Sequence, residues 1–184
     1  CGVLFYRIPS VAAAMATMEP AAVMALEGRV LEVCDMALDV GGARFAACLR
    51  VKAIGDIILF VSGVAEAFAT DTTGAVAVAA REHVAQLCDL AVDLSERTTA
   101  DLGLRAATGM HVGPITAGVV GEDRLMYDVF GDCVNTASRV MSTSAAIGGC
   151  WASAAVRELV GEADDTADPQ NGASASLQFG PLEP

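Results

Sequence analysis

GMHVGPITAGVVGEDRLMYDVFGDCVNTASRVMS, residues 109–142, is the stretch from which the fold is read. Two short β-branched runs flank Gly113-Pro114, the punctuation of strands meeting at a turn. After the Gly131-Asp132 step the pattern changes to a helix from about Cys133 to Ser142. Asn135 and Arg139 lie four apart within it and so share one helix face. Gly113, Gly118, Gly121 and Gly131 need only turns and close packing to account for them. Asp128, Asn135 and Arg139 are polar residues in an apolar chain and call for a chemical reason.

Working outward, CGVLFYRI (1–8) is a short apolar run ending at a Pro-Ser step and reads as a buried strand. Residues 10–40 have apolar positions at helical spacing interrupted at Glu19-Pro20, which predicts two helices with Pro20 in the first turn of the second. GGARFAACLRVKAIGDIILFVSG (41–63) reads as a hairpin turning at Gly55-Asp56. An amphipathic helix is expected over 74–99, and a last strand or helix near 151–160. Residues 161–176 have the composition of a flexible loop before the terminal LQFGPLEP. No internal repeat is visible. The order predicts one domain over 1–184, an α/β (α+β) sandwich in which helices cover a sheet.

The bulk composition narrows the function. Apolar residues are 54% of the 184 and charged residues 18%, enough to bury a core without staples. Eleven basic residues against 23 acidic give a formal charge of -12, so a nucleic-acid backbone or an anionic membrane surface is repelled. No nucleic-acid partner and no direct membrane contact are expected. Six cysteines (Cys1, Cys34, Cys48, Cys88, Cys133, Cys150) without zinc-ligand spacing read as buried free thiols in a reducing compartment. His83 reads as a helix-surface residue and His111 as a strand residue, both structural. A start at Cys1 suggests a domain excised from a larger protein, lying on the cytoplasmic side of any membrane anchor that protein carries.

Residues 109–142, together with LRVKAIGDIILFVSG (49–63) and VLFYRI (3–8), resemble the catalytic domain of the class III nucleotidyl cyclases, the adenylate and guanylate cyclase family. The resemblance covers most of the chain. It implies a ferredoxin-like sandwich with a mostly antiparallel sheet, paired head to tail with a second cyclase domain so that active sites form between the two. It also implies a phosphorus-oxygen lyase activity. One side of such a site holds Mg²⁺ or Mn²⁺ with two carboxylates; the other reads the base and stabilises the transition state.

In the family pattern Lys52, the only lysine of the chain, stands at the base-selecting position and Asp128 at its companion. Adenine presents an acceptor at N1 beside an amino donor, so a Lys donor with an Asp acceptor complements it, whereas guanine meets donor with donor and acceptor with acceptor. These two residues therefore resemble the adenylate type and point to ATP; the plain alternative is a surface ion pair worth about 1 kcal/mol at most. Asn135 resembles the residue that orients the ribose, and Arg139 the one that meets charge building on the α-phosphate. Arg suits that task because its planar fork donates two hydrogen bonds and stays charged.

The metal-holding side departs from the pattern. Asp56 matches the second metal carboxylate, but Arg7 stands where the first Asp is expected, and Pro9-Ser10-Val11 replaces the phosphate-cradling turn. A guanidinium for a carboxylate shifts the local charge by two units and removes oxygen ligands. No Lys or Arg occurs in LQFGPLEP, where the family carries a late phosphate-binding Lys. Three arrangements fit. The retained residues favour the substrate-reading half of a heterodimeric adenylate cyclase whose partner supplies the metal carboxylates. The lost residues would also suit a degenerate domain acting as a regulatory or scaffolding dimerisation module. An active homodimer would have to rely on Asp56 alone, and guanylate specificity would have to tolerate Lys52.

Overall fold

The computed structural model describes residues 1–64, 74–147, 149–161 and 177–179. Strand β1 (Gly2–Arg7) is followed by helices α1 (Pro9–Met15) and α2 (Pro20–Gly41), the second opening on Pro20 as its pattern predicts. After a short 3-10 turn over Gly42–Phe45 come β2 (Cys48–Ile54) and β3 (Ile57–Ser62), then α3 (Gly74–Leu102), β4 (Ala107–Val112), β5 (Thr116–Val120) and β6 (Met126–Phe130). Helix α4 (Asp132–Ile147), β7 (Gly149–Ala152), α5 (Ala154–Val160) and β8 (Leu177–Phe179) complete the order.

Six strands form one sheet in the order β2-β3-β1-β4-β7-β8. The first three pairings are antiparallel, and β7 joins β4 and β8 in parallel. This is the α+β sandwich expected, mostly antiparallel and open. β1 lies at its centre, paired along all six residues to β3 on one side and β4 on the other. A strand covered on both faces must be apolar throughout, and Val3, Leu4 and Tyr6 are fully buried.

Alternation along the strands sends side chains to two separate cores. Leu4, Tyr6, Ile8, Ile58 and Phe60 pack with α2, α3 and α5 through Cys34, Ala37, Leu87, Leu90, Leu94 and Val156. Val3, Leu59 and Val61 face the other way, toward Val129 of β6 and Cys133 and Ala137 of α4.

Several expectations are corrected in detail. The runs around Gly113-Pro114 are strands, but they do not pair with each other. β5 turns away and pairs with β6 in a separate two-stranded ribbon, and β6 is illegible in the sequence because its five residues run directly into the helix signal. The alternatives near 151–160 both occur, as β7 and α5. α3 runs on to Leu102, and Leu177–Phe179 adds a strand beside β7. His83 is not on the surface: it is 6% exposed and its Nδ1 lies 3.1 Å from the Ser62 hydroxyl. Helical spacing marks an apolar face but cannot show that a polar residue at its border is covered by a neighbouring strand. The loop expected over 161–176 lies, past Gly161, outside the described residues. No described helix is long and apolar enough to cross a membrane.

One glycine decides how closely α4 approaches the sheet. A Cβ on Gly109 of β4 would run into the backbone N and Cα of Met141. Gly109→Ala must therefore push α4 outward, and it should cost about 1–3 kcal/mol. A urea titration should show a lowered midpoint with the slope unchanged; an unaltered midpoint would mean that α4 shifts freely on the sheet.

Candidate active site

The site grows from the β2-β3 hairpin. Its turn is two residues long, Gly55 has φ +57° and Asp56 follows with negative φ, the form in which Gly takes the first turn position. This holds Asp56 at the tip, beside the end of β1, where Arg7 pairs in register with Ile57. Arg7 Nε donates to Asp56 Oδ2 in a close ion pair, with side chains 30% and 15% exposed. The two residues assigned from sequence to the metal-holding side are thus brought together, as guanidinium and carboxylate.

Farther along the same hairpin, β2 carries a bulge. Arg50 lies opposite Phe60 and Lys52 opposite Leu59, with Val51 as the extra residue between them. Phe60 belongs to the core under the helices and Leu59 to the core under α4 and the ribbon. Two residues apart in a regular strand, Arg50 and Lys52 would share a face. Because of Val51 they point to opposite faces. Arg50 reaches Asp35 of α2 at 2.8 Å, while Lys52 turns to the ribbon and donates to both oxygens of Asp128 at 2.6 and 2.8 Å. No feature of the sequence announces the bulge.

Asp128 sits on β6 opposite Gly118, and its Oδ1 also accepts the Val129 amide at 2.8 Å. The Lys52 ammonium holds its carboxyl below the ordinary value of 3.8, aided by that amide and opposed by burial.

Helix α4 buries Cys133, Ala137, Val140 and Met141 against β4, β1 and β7. Asn135 and Arg139 are consequently on its exposed side, one turn apart. Arg139 makes no ion pair among the described residues, so its guanidinium is open to an anion.

Cys34, Cys88 and Cys150 are buried in one core and Cys133 in the other. All six cysteines are free thiols; burial pushes Cys133 up to about 11 and Cys34 and Cys88 up to about 12, so none of these three is a thiolate at neutral pH. His111 Nδ1 lies 2.7 Å from the Ser153 hydroxyl, and burial lowers its pKa against the pull of Asp132.

A divalent ion does not fit the metal-holding side as this chain builds it. Magnesium asks for oxygen ligands in a near-octahedral set, and a guanidinium offers only donors. Among the described residues no group of three or more His, Cys, Asp or Glu is placed to hold a metal ion.

Residues 1–156 match the family model of the adenylate and guanylate cyclase catalytic domain. The chain belongs to this family. An adenylate cyclase of Mycobacterium tuberculosis is 33% identical over 141 residues, 77% of this chain and 29% of that protein. Guanylate cyclase D of Mus musculus is 35% identical over 101 residues, 51% of this chain and 8% of that protein. The cyclase domain described here therefore spans less than a third of either relative. Among solved structures, the guanylate cyclase domain of RhGC from Catenaria anguillulae, determined in complex with GTP, superposes with a TM-score of 0.66 at 23% identity, covering 88% of this chain and 81% of that one. That likeness establishes the fold. Relatives of both specificities are present, and the family is one of phosphorus-oxygen lyases that form cyclic nucleotides.

The Lys52–Asp128 pair gives a pH dependence of known sign. A carboxyl whose folded pKa is depressed contributes stability that is present above its unfolded value, near 3.8, and lost as pH falls through the lower folded value. By carboxyl-detected NMR, Asp128 should titrate below 3.8 in the cyclase domain and move upward in Lys52→Met, where burial acts without the ammonium. A midpoint at or above 3.8 with Lys52 present would mean that the pair does not form in solution.

Proposed function

We propose that this cyclase domain is the substrate-reading half of a dimeric adenylate cyclase site, forming cyclic AMP and pyrophosphate from ATP together with a second cyclase domain that brings the metal-holding carboxylates. The observation that carries the proposal is the division of the charged residues between two ion pairs and an exposed helix side. Lys52, Asp128, Asn135 and Arg139 are retained and face outward or toward the ribbon, while the metal-holding side is closed by Arg7 on Asp56.

In this scheme the adenine edge inserts between Lys52 and Asp128, Lys52 donating to N1 and Asp128 accepting from the amino group. The two side chains are already in contact through hydrogen bonds that the base would take over. Asn135 orients the ribose. The 3′-oxygen attacks the α-phosphorus, the bond from that phosphorus to the bridging oxygen breaks, and pyrophosphate leaves. Arg139 meets the charge that builds on the α-phosphate oxygens, where an oriented, permanently charged donor is worth most. Divalent ions on the partner's side would supply activation of the 3′-hydroxyl and charge neutralisation of the phosphates. The ribbon supports the pairing, since Val119, Leu125, Met126 and Phe130 are large apolar residues left exposed along it.

A second reading is favoured by the Arg7–Asp56 pair together with the replaced phosphate-cradling turn and the absence of Lys or Arg in LQFGPLEP: a domain that pairs with another cyclase domain for regulation, without turnover. The test is cyclic AMP formation from ATP with Mn²⁺, using this domain alone and mixed with a cyclase domain that retains both metal carboxylates but lacks its own Asn and Arg. Activity is expected in the mixture only, and Arg139→Ala should lower it about 100- to 1,000-fold. Silence in the mixture, with complex formation confirmed by light scattering, would overturn the enzymatic reading in favour of the regulatory one.

Specificity is tested in the same mixture. Lys52→Glu combined with Asp128→Cys should reduce ATP turnover about tenfold or more and raise GTP turnover, because the donor and acceptor facing the base are exchanged. Unchanged ATP use would remove these two residues from base recognition.

A further inference from the structure

We propose that the Arg7–Asp56 pair is a built-in substitute for a divalent ion, a tethered cation that completes this face of the domain and excludes the metal from it. The inference rests on where these two residues fall in the family pattern and not on the base read or on turnover.

Both partners are fixed by backbone. Arg7 ends the central strand, in register with Ile57 of β3 and Ala107 of β4. Asp56 is held in a two-residue turn by the positive φ of Gly55. Alternation along β1 puts Arg7 on the face of Val3, the face covered by α4 and the ribbon. Both side chains are largely covered, with exposures of 30% and 15%. Nε of Arg7 is spent on the carboxylate oxygen that would otherwise ligate an ion.

The charge balance is what makes this a substitution. A pair of carboxylates at the end of β1 and the tip of the hairpin repel each other and need an external cation; a carboxylate and a guanidinium neutralise each other. Arg remains charged at every pH a protein survives, so the closure is permanent. Two consequences follow. The domain folds equally well with and without divalent ions. A homodimer of it has no side able to hold a metal, which makes a partner of different sequence obligatory for any metal-dependent chemistry.

The experiment measures Mn²⁺ binding by electron paramagnetic resonance, and thermal unfolding in EDTA and in Mn²⁺, on the wild-type chain, Asp56→Asn, Arg7→Lys, Arg7→Asp and the double variant Arg7→Asp with Asp56→Asn. Wild type and Asp56→Asn should bind Mn²⁺ equally, through dispersed acidic surface sites only, and melt at the same temperature in both media. Arg7→Lys keeps the charge and should behave like wild type. Arg7→Asp should bind Mn²⁺ about tenfold more tightly than wild type and be stabilised by it in proportion to occupancy. The double variant should lose that gain. A wild-type chain that binds Mn²⁺ more tightly than Asp56→Asn would overturn the proposal, as would a folded Arg7→Asp that gains no affinity. Should Arg7→Asp not fold, the comparison of wild type with Asp56→Asn decides alone. Failure of the mixed cyclic AMP assay leaves each of these outcomes readable.

Discussion

Strand β1 is bonded along its whole length to β3 and β4, and everything that carries chemistry is positioned from it. Its two-sided pairing forces a run of apolar residues with alternating destinations, so one short segment organises two cores. Tyr6 shows how the buried strand satisfies a polar end: it is fully buried and its hydroxyl lies 2.5 Å from the Thr98 hydroxyl of α3. Arg7 is the one residue of the strand that exploits its end. The strand delivers it beside the hairpin tip, where it meets Asp56.

The electrostatics of the site consist of two ion pairs, Arg7–Asp56 and Lys52–Asp128, with Arg139 outside any ion pair among the described residues. The pairs differ in kind. Arg7–Asp56 joins the end of the central strand to the tip of the β2-β3 hairpin. Lys52–Asp128 joins the edge strand β2 to the two-stranded ribbon. Arg139 stands apart on the exposed side of α4, where the packing of Ala137 and Met141 leaves it facing out.

Much of this was legible in the amino-acid order. The central strand, the paired helices, the Gly55-Asp56 hairpin and the start of the helix after Gly131 are short-range patterns, written in alternation, helical spacing and turn residues; that helix runs on to Ile147, past the expected Ser142. The resemblance of residues 109–142 to cyclases carried the family. What was not legible involves contact between distant segments. The ribbon depends on β5 finding β6 rather than β4, and five-residue strands carry too little pattern to declare their partner. The burial of His83 depends on Ser62 arriving from another strand.

The sequence by itself determined the elements, the family and the identities of the charged residues, because propensity, turn chemistry and periodicity act over a few neighbours. Tertiary structure alone decided which face each charge serves. The extra residue at Val51 turns Lys52 toward Asp128, 76 positions away, and leaves Arg50 to Asp35. Gly109 sets the height of α4 and with it the place of Arg139. The register of β1 closes Arg7 on Asp56. Direction in a sheet changes with a single residue of register, and that register is set by pairing across the whole domain rather than by any local stretch.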